Sequence, residues 1–412
     1  MLKSYHKNKN NLTRRTNVKN LLSSLPFKLF VALTIGTLLG GIVNEGVLNV
    51  ILSIRHISGQ IVFFSVPLII IGMVAPAIVR TGKNASRLLI LSLCLAYTSS
   101  LTAAMLSMAG GYSIIPALDI ATEVEALRTV PAALFVINIP PLMNAIAAMT
   151  MAIFIGLSVV WSGADNFANL LEDFNKMIHT IIRKIVIPIL PVFIGANFTV
   201  LSYEGSLTGR LPMFLAVIAI MVAFHYIWLV VLYTLAGIYS KRNPLHVIKH
   251  YGGAWLTAAG TMSSAATMAL ALDGALKSKA LDKEMARFAV PLFAHIHLVG
   301  SAISIVFLAL TVSQVMYGQL PDLNTMLLYV AVQAVFTLAA AGVPSGTVVA
   351  SMGLMTYMLG FSPETTALLV TIFALQDSFT TSTNILSDGA MAMVLTGYKE
   401  KRDKVSLANV PA

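Results

Sequence analysis

Long charge-free runs constrain this chain more than any other feature. Residues 57–79, 88–118, 129–164, 185–203, 211–240, 288–321 and 323–363 contain no Asp, Glu, Lys or Arg. An apolar helix of about 20 residues spans a hydrocarbon core about 30 Å thick. A chain with 57% hydrophobic and 11% charged residues cannot clothe a soluble surface built from such runs. The expected class is therefore an all-α polytopic membrane protein. Residues 29–44 form a shorter run that Lys28 can extend by snorkelling. No small-residue cleavage site follows it and apolar runs continue, so it reads as the first span and not as a secretory signal.

A net charge of +10 raises the question of nucleic acid, and the placement of the charges answers it. With residues 1–28 on the cytoplasmic side and each span crossing once, 24 of the 27 Lys and Arg fall on that side, leaving Arg55, Arg128 and Arg210 outside. The basicity sets topology: the lipid bilayer is the partner, and no nucleic acid is expected. Both termini are expected in the cytoplasm, with 1–25 a flexible basic segment and 397–412 a tail. The single Cys94 can form no intrachain disulfide.

Eight crossings fit the charge pattern: about 26–46, 56–79, 87–110, 131–158, 182–202, 211–239, 288–312 and 364–396. Two apolar segments remain. Residues 250–272 begin and end on the basic side, and 323–360 lie between Asp322 and Glu364 on the other. Each must enter and return. Their centres, AAGTMSSAATM at 258–268 and AAAGVPSGTVV at 339–349, are small-residue clusters, the second interrupted by Gly342, Pro344 and Gly346. Irregular backbone at membrane depth is tolerated only when buried in protein or lining a polar cavity. Two re-entrant hairpins from opposite faces are thus expected to meet near the midplane, the arrangement of inverted-repeat transporters. In the first span, Gly36 and Gly40 of GTLLGG permit close helix packing.

The last span carries the chemistry. Asp377, Thr381, Asn384 and Asp388 are spaced by 4, 3 and 4 residues and share one helical face. A carboxylate at a helix centre in lipid costs roughly 2.5–3.5 kcal/mol. Either a cation or a substrate ammonium partners these acids, or Asp388 reaches cytoplasmic water while Asp377 pairs inside the bundle. His295 and His297, in PLFAHIHLVGSA, read as hydrogen-bonded interior histidines, as proton-coupling groups, or as soft-metal ligands, the last unsupported by any nearby cysteine. An enzyme with a shared-proton aspartate pair is disfavoured: eleven residues separate Asp377 from Asp388, about 16 Å along a helix. No catalytic residue and no resident cofactor is expected. A passive channel would not require two opposed gates.

The chain resembles the dicarboxylate/amino acid:cation symporter family of elevator transporters. The likeness runs through FKLFVALTIGTLLGGI, FVINIPPLMNAIAAMTMAIFIGL, NPLHVIKHYGGAWLTAAGTMSSAATM, VPLFAHIHLVGSA, AAAGVPSGTVVASMGL and LQDSFTTSTNILSD, in that order. It implies a homotrimer in a prokaryotic cytoplasmic membrane. Residues 26–246 would be mainly scaffold, with spans 3 and 6 able to pack on a transport core at 247–396. It implies substrate contacts from Gly260 and Thr261 at the first hairpin tip, from Val343, Pro344, Ser345 and Gly346 at the second, and from Asp377, Thr380, Thr381 and Asn384. Asp377 would hold an α-amino group, Asn384 an α-carboxylate and a cation site, and Asp388 sodium.

The departures narrow the substrate. Members that carry acidic solutes have an arginine where this chain has Thr380, and the family's NMDG is here HLVG, so His297 and Val299 replace sodium-holding residues. LQDS is similar to the bacterial serine/threonine symporters of the same family. The expectation is a cation-coupled symporter for a small, neutral amino acid, with fewer sodium ions or with protons in their place. A C4-dicarboxylate or acidic amino acid is the alternative.

Overall fold

A computed structural model describes residues 25–83, 87–118, 128–143, 145–340, 342 and 344–408. The expected basic head and the end of the tail lie outside these residues, as does Val343. Among the described residues the regular secondary structure is all helix, with no strand. Its elements are α1 (Leu25–Ile42), α2 (Glu45–Lys83), α3 (Arg87–Ile114), α4 (Ala145–Ser162), α5 (Asp165–Ile181), α6 (Ile187–Glu204), α7 (Ser206–Ser240), α8 (Leu245–Ile248), α9 (Gly252–Thr261), α10 (Ser264–Lys277), α11 (Lys283–Ile296), α12 (Val299–Tyr317), α13 (Leu323–Ala339), α14 (Gly346–Leu359) and α15 (Pro363–Ala408).

Five stretches among these are long and apolar enough to cross a membrane: Glu45–Val79, Arg87–Leu118, Asp165–Glu204, Pro212–Ser240 and Lys283–Tyr317. The apolar helices Phe27–Ile42 and Thr150–Ser162 are shorter. The fourth expected span is not one helix. Residues 128–143 run without helix and only α4 follows. Pro131, Pro140 and Pro141 explain this, since proline donates no N–H and pushes its predecessor into extended backbone. Polar side chains of α2 take up the freed peptide groups. Phe135 N–H donates to Ser53 Oγ at 3.0 Å, Ile139 N–H to Gln60 Oε1 at 3.1 Å, and His56 Nε2 lies 3.2 Å from the Ile137 carbonyl. Ser53, His56 and Gln60 share one stripe of α2.

Two sets of packing organise the molecule. In one, α1 lies along α6 and α2 along α4 and α6; in the other, α12 packs on α3 and α15, and α15 on α7, α9 and α11. Helix α12 is the centre, with every residue from Val299 to Val315 except Gln314 buried. Arg55 of α2 faces Glu364 at the start of α15 across 3.6 Å. At the other end of α15, Lys399 pairs with Asp282 at 3.1 Å and Glu284 at 2.6 Å, while Asp282 caps α11 through Glu284 and Met285 N–H.

The glycines of α1 are close-approach residues. A Cβ at Gly36 would lie 2.3 Å from the Gly195 carbonyl oxygen, and one at Gly40 would lie 2.3 Å from that of Thr199. Because backbone cannot yield as a side chain can, Gly36→Val should cost about 1–3 kcal/mol or more. Gly41→Val, with nothing within 4 Å, is the control. Thermal unfolding in detergent checks this. Equal midpoints for the two variants would contradict the packing.

Candidate functional site

Three broken helices end on one face of α15. The α9–α10 pair turns at Met262, held at φ 51°, and the α13–α14 pair turns at Ser345, held at φ 54°. The tips join through Gly342, whose carbonyl accepts from Ser263 Oγ at 2.9 Å and from Ala265 N–H at 3.2 Å. The third break, at His297 and Leu298, separates α11 from α12. Each break leaves helix-terminal peptide groups unpaired; Ser263 and Gly342 take up those at the start of α10, and α15 supplies partners at the other two.

Asp377 serves α14. Its Oδ2 accepts from Ser345 N–H at 2.8 Å and its Oδ1 from Thr381 Oγ1 at 3.3 Å. Asn384 serves α12, accepting from Gly300 N–H at 2.7 Å. A Cβ at Gly300 would lie 2.5 Å from the Thr380 carbonyl, so glycine is what lets α12 approach α15 this closely. Asp377, Thr381 and Asn384 share a cleft with Ser264, Ser301 and Ser345, whose interior narrows to about 10 Å³. That space is water-sized. An amino acid enters only if the hairpins part.

The expected site residues do not all converge. Gly346 borders the cleft beside Ser345, and Pro344 lies in the turn before it. At the first hairpin the expected Gly260 and Thr261 are exposed on α9, and Met262 and Ser264 face the cleft instead. The helix runs through Thr261, whose Oγ1 bonds back to the Thr257 carbonyl at 2.7 Å. Thr380 is also off the cleft. Its hydroxyl is fully buried, donates to Gln376 Oε1 at 2.8 Å and meets Ser304 Oγ at 2.9 Å.

Asp388 does not reach water. It is 0% exposed, and neither carboxylate oxygen has a hydrogen-bond partner among the described residues. His297 Nδ1 lies 3.7 Å away. That imidazole is fixed on both sides, by Ser387 Oγ at 3.1 Å and by Ser99 Oγ at 2.9 Å. Since Ser387 already donates to the Asn384 carbonyl at 2.6 Å, Nδ1–H donates to Ser387 and Nε2 accepts from Ser99. A buried acid left without a donor requires a positive partner or a proton. The two histidines part company here. His295 is exposed, bonds the Pro291 carbonyl through Nδ1 at 2.9 Å, and lines a separate cavity of about 350 Å³ with Asn175 and His179.

Comparison with known proteins gives consistent results. The family model described as "Sodium:dicarboxylate symporter family" matches residues 25–398. Excitatory amino acid transporter 2 from Homo sapiens is 26% identical over 243 residues, 57% of this chain and 42% of its own length. An excitatory amino acid transporter from Caenorhabditis elegans is 26% identical over 275 residues, covering 63% and 52%. Excitatory amino acid transporter 1 from Homo sapiens is 23% identical over 285 residues, covering 66% and 52%. The chain thus spans about half the length of these curated relatives.

Proposed function

Because the chain belongs to the sodium:dicarboxylate symporter family, a family of membrane transporters, we propose that it is a cation-coupled symporter for a small neutral amino acid. The observation that carries this reading is the convergence of the α10, α12 and α14 N-termini on the acidic face of α15. Helix N-termini favour an anion, and Asp377 favours a cation. An α-amino acid presents both: its carboxylate suits the hairpin N-termini and Asn384, its ammonium Asp377. Asp377 also holds Ser345 N–H at 2.8 Å. An arriving ammonium therefore competes for the bond that keeps the second hairpin shut, which links binding to gating.

Neutrality of the substrate side chain rests on what surrounds the cleft. Among the described residues its lining includes no lysine or arginine, so a second substrate carboxylate would sit beside Asp377 without a cation. The names of the relatives favour an acidic amino acid, which is the second reading. Asp388 offers the cation site. A proton in place of a sodium ion is the alternative there, motivated by His297 at 3.7 Å, with His295 the other coupling candidate.

The two packing sets support an elevator reading. α1, α2, α4 and α6 form the scaffold; α9–α15 form the moving core, with the two hairpins re-entrant and α3 and α7 travelling with it. Arg55 and Glu364 span the boundary. Eight crossings, cytoplasmic termini, a prokaryotic cytoplasmic membrane and a homotrimer belong to this proposal.

Purified protein in liposomes, under separately imposed sodium and proton gradients, tests the function. Concentrative uptake of serine, threonine or alanine under one gradient is expected. Uptake of aspartate or succinate in preference to every neutral amino acid would overturn the substrate assignment. A sustained current without accumulation would indicate a channel.

A further inference from the structure

Helix α7 carries one polar group that the proposed transport chemistry leaves unused. His225 is 0% exposed within an otherwise apolar run. Its Nε2 lies 3.2 Å from the Gly300 carbonyl and 2.9 Å from Ser304 Oγ. A carbonyl can only accept, so Nε2 carries the proton. Nδ1 has no hydrogen-bond partner among the described residues. The neutral ring thus presents a single N–H donor, shared between two acceptors on α12.

Both acceptors lead to the polar residues of α15. On one branch, Gly300 is held through both of its backbone polar groups: its carbonyl accepts from His225 and its N–H donates to Asn384 Oδ1 at 2.7 Å. On the other, Ser304 accepts from His225 and donates to Thr380 at 2.9 Å, and Thr380 donates to Gln376 Oε1 at 2.8 Å. Every donor along this branch points away from His225. The order is set at the histidine end by the Gly300 carbonyl. It consumes the Thr380 hydroxyl, and that is why this side chain is turned off the cleft.

We propose that His225 is a positioning residue for the substrate and cation sites, orienting Asn384 through Gly300 and holding Thr380 through Ser304. The inference rests on the symporter reading for what those sites bind. His225 itself touches neither cargo. Its contribution is pre-organisation: with the donor present, Asn384 and Thr380 each have one satisfied arrangement, and without it Gly300 and Ser304 lose a buried partner and both branches loosen.

Four variants test this in the full-length protein. His225→Phe keeps a ring and removes the donor. His225→Gln places an amide N–H near the Nε2 position, whereas His225→Asn can reach only toward Nδ1. The readouts are alanine or serine affinity and the half-saturating concentration of the driving ion. His225→Phe and His225→Asn should each worsen both by about tenfold or more, and His225→Gln should stay within about threefold of wild type. With Thr380→Val as the fourth variant, His225→Phe and Thr380→Val should be non-additive in thermal midpoint, because both break the Ser304 branch. Should the Phe protein fail to fold, the Gln and Asn pair decides alone. Equal behaviour of Gln and Asn, or wild-type values in Phe, would overturn the proposal. Absence of ion-driven uptake in wild type would instead overturn the symporter reading, while substrate affinity still reports on His225.

Discussion

Asp377→Asn is expected to weaken alanine or serine binding about 10- to 150-fold while leaving the protein folded. That range corresponds to the roughly 1.5–3 kcal/mol of a hydrogen bond to a charged group. The amide is nearly isosteric: its oxygen can still accept from Ser345 N–H, and its NH2, in the place of Oδ1, can donate to Thr381 Oγ1 once that hydroxyl turns. What it loses is the formal charge that an ammonium needs. Because a buried carboxylate carries a desolvation cost that an amide does not, the thermal midpoint should hold or rise. Calorimetry on the wild type and the variant, with thermal unfolding alongside, makes the comparison. Unchanged affinity for neutral amino acids in the variant would show that Asp377 does not hold an amine. A wild type that prefers succinate, with the preference kept in the variant, would assign Asp377 to a cation or proton.

The acidic face of α15 was legible because helical period alone groups Asp377, Thr381, Asn384 and Asp388. The breaks at Met262 and Ser345 were legible because small-residue clusters mark both places in the sequence. Gly36 and Gly40 announced a close approach, although only the fold names Gly195 and Thr199 as what they approach. Other features depended on direction, which composition does not carry. Thr380 sits one residue from Thr381, hence about 100° around the helix. It stands four residues after Gln376, and that spacing was the available signal that its hydroxyl would stay on its own helix. His295 and His297 are two residues apart and face different ways, one into a cavity and one toward Asp388. His225 is a lone histidine in an apolar run, with no motif around it. The cost of burying such a group was reason enough to ask for its partner. The prolines at 131, 140 and 141 were equally visible, and they break the fourth span where hydropathy draws it unbroken.

Asp388→Asn should raise the sodium concentration needed for half-maximal substrate binding about 10- to 150-fold, by the same charge-assisted scale as Asp377, with stability unchanged or improved. A carboxylate that is 0% exposed and accepts no hydrogen bond among the described residues has no protein partner to lose, so removing its charge removes a burden from the fold and an attraction from the cation. The variant also separates the two candidate cargoes. Asparagine resembles a protonated aspartic acid in charge and shape. If Asp388 carries a proton, the variant behaves as a carrier loaded permanently: it should still exchange substrate for substrate across the membrane, and it should lose net uptake driven by an inward proton gradient. If Asp388 carries sodium, substrate binding itself should lose its response to sodium, and exchange should fail at sodium concentrations that saturate the wild type. His297 supplies the internal control, because His297→Gln keeps an acceptor near Ser99 and gives up the Nδ1 contact with Ser387, but cannot take up a proton. A pH response unchanged in that variant removes the imidazole from the coupling. Sodium titrations that superimpose for wild type and Asp388→Asn remove the carboxylate from it as well, leaving Asn384 as the remaining group of this face to be tested against the cation.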